Sequence, residues 1–189
     1  MDLSIVILNY FNKDLIRELL KNLTALNLSL EYEIIIVDNA SYDGIRELVQ
    51  NQPGIKFIQN NHNTGFAAGN NLGLKSAKGK YILICNPDLA FIQDAISVLY
   101  KYMEAHPEVA LAGPRLINPD KTLQYSATIF PDWKLPFLRR TFLSKTKMAS
   151  NWLNAYFMTD FDHQKNFYVP ALFGACLLVR TSALFKVGL

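Results

Sequence analysis

Apolar runs and helical periods alternate along the first 112 residues. Residues 3–8 (LSIVIL) form an unbroken apolar run rich in β-branched side chains, the pattern of a strand buried on both faces. Residues 12–26 follow with Leu15, Leu19, Leu20 and Leu23 at helical spacing. Residues 33–37 (EIIIV) predict a second buried strand. Residues 41–50 predict a short helix capped by Ser41 or Asp43, and residues 55–58 a third strand. A helix over 66–77 ending near Gly79, a strand over 81–85, a helix over 94–105 and a strand over 109–112 complete the series. The alternation predicts an α/β fold with a Rossmann-like, mostly parallel sheet flanked by helices. Ligands of such sheets bind beyond the carboxyl ends of the strands. After Pro114 the pattern turns irregular, and the apolar run at 171–179 reads as a strand or buried segment. No linker is visible, so one domain is expected over 1–189, with a first half to about 115 and a second half over 116–189.

Composition narrows the classes. Half of the 189 residues are hydrophobic and 19% are charged, a globular balance. A net charge of +3 gives no nucleic-acid footprint. Cys85 and Cys176 sit in apolar runs and read as core residues of a reduced, intracellular protein rather than a disulfide or redox pair. The three histidines lack zinc-ligand spacing. No signal peptide or bilayer-length run is present in this sequence, so a cytoplasmic location is expected.

The candidate chemistry lies at the strand ends. Asn9 and Tyr10 end the first strand, Asp38 and Asn39 the second, and Asn86-Pro87-Asp88 the fourth. The first turn has no G-x-G-x-x-G and the chain no Walker A loop, which argues against dinucleotide and P-loop chemistry. An acid at a strand end can accept a hydrogen bond from a base or a ribose; the same Asp38 could instead serve a capping turn. Gly65, Gly69 and Gly73 recur every four residues on one helix face, allowing close approach to a ligand or to the sheet. Pro87 fixes the turn that presents Asp88, and one carboxylate plus substrate phosphates is a common way to hold Mg²⁺ or Mn²⁺.

Taken in order, LSIVILNY, IIIVDNASYDG, NNHNTGFAAGNNLG, GKYILICNPDL, GPRLINPDKTLQYSA and GACLLVRTSALFKVG resemble the motifs of the family 2 glycosyltransferases, nearest to the rhamnosyltransferase-like branch. The resemblance implies a GT-A fold and inverting transfer of a sugar, rhamnose being one candidate, from a dTDP- or UDP-linked donor. The implied acceptor is a glycan or a lipid-linked carrier in cell-surface polysaccharide synthesis. It implies that Leu8, Asn9, Tyr10, Asp38 and Asn39 surround the base and ribose. Asn63, Gly65, Asn70 and Asn86 would line the diphosphate side. Asp88 would hold a divalent cation, Mg²⁺ or Mn²⁺, and Gly174, Ala175 and Cys176 would lie near the sugar and the acceptor.

Three departures accompany it. Asn86 stands where many relatives carry the first acid of the D-x-D motif, and Gly69 where many carry arginine. The family's catalytic base follows the segment matching LFKVG, so it is expected beyond Leu189. The acceptor half is then incomplete, and the alternative reading is a truncated or degenerate relative that binds nucleotide without transfer. Asp160 and Asp162 precede Gly174 and read as solvated loop acids. Residues 131–157 mix aromatic and basic side chains, with Leu135, Leu138 and Phe142 on one helical face beside Arg139 and Arg140. That mixture raises a peripheral contact with the inner face of the membrane as a further expectation.

Overall fold

A computed structural model of the chain describes residues 1–130 and 146–188. Its frame is four parallel strands, β1 (Leu3–Asn9), β2 (Tyr32–Asp38), β3 (Ile55–Gln59) and β4 (Tyr81–Cys85). Val6, Ile7, Ile35, Ile36, Val37, Ile82 and Leu83 are fully buried, as the unbroken apolar runs predict. Connecting the strands are α1 (Lys13–Ala25), α2 (Ile45–Val49) and α3 (Gly65–Ser76); α4 (Ala95–Ala105) follows β4. Then come β5 (Leu111–Ala112), β6 (Leu116–Ile117), β7 (Leu123–Gln124), β8 (Ala127–Thr128), α5 (Lys147–Tyr156), β9 (Ala171–Leu172), β10 (Cys176–Arg180) and α6 (Thr181–Val187). The main sheet has the order β3-β2-β1-β4-β10-β5, with β10 antiparallel to both of its neighbours. The chain builds outward from β1 to β3 and then returns to the other side of β1. In open parallel sheets such a reversal marks the carboxyl edge at which ligands bind.

Several elements differ in detail from the sequence reading. On α1 the buried stripe is Ile16, Leu19, Leu20 and Leu23; Leu15 is 44% exposed, because the i, i+3, i+4, i+7 face begins one residue later. The second helix is shorter than residues 41–50. Ala40, Tyr42 and Gly44 have left-handed φ values of 63°, 50° and 85°, so residues 40–44 form a loop and the helix begins at Ile45. Ser41 and Asp43 therefore serve the loop, as described below. The fifth strand is reduced to Leu111–Ala112.

The small face of α3 settles onto the sheet. A Cβ on Gly69 would meet Leu8 Cδ1 at 2.7 Å, and one on Gly73 would collide with Val6 Cγ1 and lie 3.2 Å from Val37 Cγ2. Both glycines buy close helix–sheet approach, and position 69 faces Leu8 and Asn39. At the opposite end of the sheet Arg180 ties β10 to α4. Its guanidinium donates to Met103 O at 2.7 Å, His106 O at 3.2 Å, Val109 O at 3.3 Å and the Tyr81 hydroxyl at 2.8 Å. Tyr81 in turn donates to Glu104 at 2.6 Å.

Two compact units emerge: Met1–Pro114 with Gly174–Leu189, and Arg115–Phe173. The run at 171–179 is divided between them, β9 pairing with β8 and β10 entering the main sheet. In the second unit β6 pairs with β7, and Ile129 N donates to Tyr156 O at 3.1 Å. Trp152 stacks on Tyr156 with ring centroids 5.5 Å apart. Leu135, Leu138, Arg139, Arg140 and Phe142 lie outside the described residues; α5 is the described part of the basic and aromatic segment. No helix among the described residues is long and apolar enough to cross a membrane.

Candidate functional site

Parallel register sets the first part of the site. Asn9 pairs with Asp38 and Asp38 with Gln59, so three polar side chains stand in a row where three apolar strands end. Asp38 is fully buried and engaged on both oxygens. Oδ1 accepts from Asn9 Nδ2 at 2.8 Å and from the Ser41 hydroxyl and amide, while Oδ2 accepts from Tyr42 N at 3.1 Å and Gln59 Nε2 at 2.7 Å. Burial pushes the carboxyl upward, but the bonds from Ser41, Gln59, Tyr42 and Asn9 outweigh it and hold Asp38 below its ordinary value. Asp43 closes the loop from the other side. It accepts from Lys13 N at 3.0 Å, Ile45 N at 3.2 Å and Asn9 Nδ2 at 3.1 Å, and so caps the start of α1. The loop leaves Tyr10, Phe11 and Tyr42 exposed around this buried network. A cleft of about 330 Å³ opens beside it, lined by Phe11, Asn12, Lys13, Asp14, Leu15 and Asp43.

Asn39, also buried, organises the entry to α3. Its Oδ1 accepts from Asn60 Nδ2 at 3.0 Å and Thr64 N at 3.1 Å, and its Nδ2 donates to Asn63 Oδ1 at 2.7 Å. Asn63 Oδ1 also takes Gly65 N at 2.8 Å, and Gly65 has the left-handed φ of 82°. The N-cap residue Thr64 makes no side-chain cap bond and the first turn holds no acid. A helix start without an acid favours anionic groups. Asn70 is buried and donates to Phe66 O at 2.9 Å, whereas Asn63 and Gly65 are exposed.

The fourth strand ends as the sequence predicts, in a tight turn at Pro87 and Asp88. Asn86 N donates to Ala175 O at 2.9 Å, which ties this turn to the segment before β10. Asp88 is exposed and, among the described residues, has no hydrogen bond or ion pair. It is thus unlike Asp38 and Asp43, whose oxygens are committed to the loop. No cluster of three or more His, Cys, Asp or Glu residues occurs among the described residues. Asp88 with the Asn86 amide fits a divalent cation that takes its other ligands from a diphosphate and water, and does not fit an all-protein cage.

Cys85 and Cys176 face one another across the β4–β10 pairing as buried free thiols. Burial pushes Cys85 well up and Cys176 to about 12. Cys176 is therefore a neutral wall of the strand end, with Gly174 and Ala175 forming the turn before it. Asp160 is exposed in the second unit; Asp162 is also exposed, accepting from Gln164 N at 3.0 Å and lying 3.6 Å from Lys165.

The structure thus brings Leu8, Asn9, Tyr10, Asp38, Asn39, Asn63, Gly65, Asn86, Asp88, Gly174, Ala175 and Cys176 into one unit at strand ends or the loops beside them; Asn70 is in the same unit but lies inside α3, its side chain bonded to Phe66 O. Sequence reasoning missed Gln59, Asn60 and Thr64. The available signal was the polar break ending the strand at 55–58, since strand-end polar residues in a parallel sheet align across the ladder.

The sequence model of the family described as "Glycosyl transferase family 2" matches residues 4–188. The chain is 26% identical over 180 residues to an N-acetylglucosaminyl-diphospho-decaprenol L-rhamnosyltransferase of Mycobacterium tuberculosis, covering 88% of this chain and 58% of that protein. It is 28% identical over 121 residues to the low-salt glycan biosynthesis hexosyltransferase Agl10 of Haloferax volcanii, covering 62% and 37% respectively. Among solved structures it is similar to the mannosyltransferase PcManGT of Pyrobaculum calidifontis in complex with GDP-Man and Mn²⁺, with a TM-score of 0.68, 18% identity, and 98% of this chain and 46% of that one covered. It is also similar to S. aureus TarS 1-349 in complex with UDP-GlcNAc, with a TM-score of 0.63, 17% identity, and 99% and 47% covered. At these identities the structural likenesses carry the fold, which is GT-A. The chain spans about half or less of the length of most of these proteins.

Proposed function

Since the chain belongs to glycosyl transferase family 2, matched over residues 4–188, we propose that it forms the donor-binding part of an inverting hexosyltransferase. The nucleotide lies along the crevice at the ends of β1, β2 and β4. Base and ribose rest against Leu8–Tyr10 and the loop organised by Asp38. The diphosphate runs past Asn63, Gly65 and the start of α3 toward Asn86 and Asp88. The sugar projects toward Gly174, Ala175 and Cys176. The observation that carries this reading is the contrast between acids. Asp38 and Asp43 are spent on shaping the loop, while Asp88 alone of the three is held out, unpaired, on a turn anchored by Ala175.

Asp88 and Asn86 are the residues that would hold Mg²⁺ or Mn²⁺; a bound cation would offset charge growing on the leaving diphosphate. The chain's own contribution is to bind and orient. Asn9, Asp38 and Gln59 fix the base loop, Asn39 fixes the entry to α3, and the Asn86–Ala175 hydrogen bond fixes the direction of the Asp88 turn. The names of the mycobacterial and haloarchaeal relatives support a lipid-linked or glycan acceptor, with rhamnose a candidate sugar. Titrating the chain with UDP, dTDP and ADP in the presence of Mn²⁺ tests the reading. Binding of a pyrimidine nucleotide is expected, and no binding of any of the three would overturn it.

A further inference from the structure

Phe66 sits on the first turn of α3, and the residue is 53% exposed. A Cβ placed on Gly174 would meet that ring at 3.5 Å from Cε1 and 3.8 Å from Cζ, ordinary contact distance. The next residue, Ala175, accepts the hydrogen bond of Asn86 N at 2.9 Å. Phe66, Gly174, Ala175 and the turn bearing Asp88 are therefore contiguous within one unit. The absence of a side chain at 174 leaves that edge of the ring open. The residues next to Phe66 and Gly174 in the chain, Gly65, Ala67 and Ala175, are small and uncharged. A side chain serving only as packing would be covered; Phe66 is more than half exposed, in the same unit as the Asp88 turn. Exposed aromatic surface of this kind suits the C–H face of a sugar ring, which gains apolar contact there while its hydroxyls stay in water.

We propose that Phe66 is a specificity-determining residue that contacts the transferred hexose of the nucleotide sugar, with Gly174 keeping the ring accessible. The proposal rests on the donor-binding reading above and adds to it the residue that reads the sugar. Because the Phe66 ring carries no hydrogen-bonding group, it distinguishes sugars by the shape of their apolar face and not by single hydroxyls.

The test is calorimetry of two matched pairs, UDP with UDP-glucose and dTDP with dTDP-rhamnose, each with Mn²⁺. The quantity read is the affinity of the nucleotide sugar relative to its own nucleoside diphosphate. Phe66→Ala is expected to lower that ratio by about three- to ten-fold, the scale of one aromatic contact, while nucleoside diphosphate affinity changes less than about two-fold. Gly174→Leu, which lays apolar atoms over the ring edge, is expected to lower the same ratio. Should Phe66→Ala fail to fold, Phe66→Leu keeps apolar volume without the flat face and reads the same ratio. Equal loss for the diphosphate and its sugar, or an unchanged ratio in the folded variants, would overturn the role of Phe66 alone. Failure of the unaltered chain to bind either member of both pairs would overturn the donor-binding reading and this inference with it.

Discussion

At the scale of single residues, the same side-chain type does opposite jobs. Asp38 is buried and engaged by Asn9, Ser41, Tyr42 and Gln59, whereas Asp88 is exposed and has no hydrogen bond or ion pair among the described residues. Removing Asp38 strands several buried donors, so Asp38→Ala is expected to cost about 1–3 kcal/mol of stability and to weaken nucleotide binding through the loop. Urea unfolding and calorimetry on the same variant check both effects. Since Asp38 is held below its ordinary value in the fold, its contribution is present above the unfolded pKa, near about 4, and is lost as pH falls through the folded value. The urea midpoint should therefore fall on acidification below about pH 4, less steeply in Asp38→Asn. The buried thiols give a second residue-scale expectation. With Cys85 and Cys176 both pushed upward by burial, neither should react with a thiol reagent at pH 8 until the chain is unfolded in urea. The burial of these cysteines was legible from their apolar runs. The engagement of Asp38 was not, because it depends on Gln59 from the next strand and on Ser41 and Tyr42 in a left-handed loop, and a period of apolar residues carries no information about either.

At the scale of elements, buried strands and amphipathic helices were legible because each had a run or a period long enough to fix its type. The second helix was overextended because Ser41 and Asp43 are good caps, yet the loop spends them on Asp38, Lys13 N and Ile45 N instead. The strand at 176–180 lacked a legible partner, since antiparallel entry beside β4 is a long-range choice. Packing of α3 supplies a sharp test. Gly73→Ala gains about 1 kcal/mol of helix propensity but drives a methyl into Val6, which is fully buried and backed by Val37. Overpacking of this kind costs about 1–3 kcal/mol, so a net loss of stability is expected by thermal unfolding, with the opposite sign from an exposed helix glycine. Arg180→Leu should be worse tolerated than its partial exposure implies, because the carbonyls of Met103, His106 and Val109 lose a charged donor together.

At the scale of the whole molecule, the order β3-β2-β1-β4 makes the chain reverse direction beside β1, and the polar row and the Asp88 turn both stand at the carboxyl ends of these strands, the edge at which ligands of such sheets bind. Fold and family were legible because six separated motifs keep their order along the chain; the return of Gly174–Leu189 to the first unit was not, because it comes from across 59 intervening residues, Arg115–Phe173. The central claim is that Asp88 couples a divalent cation to a nucleoside diphosphate. Calorimetry of UDP or dTDP with and without Mn²⁺, on the unaltered chain and on Asp88→Asn, measures that coupling directly. The account predicts that Mn²⁺ tightens nucleotide binding by about ten-fold or more in the unaltered chain, a typical coupling between linked ligands, and that Asp88→Asn abolishes most of the gain. Equal enhancement in Asp88→Asn, or tight Mn²⁺ binding to the chain without nucleotide, would contradict it.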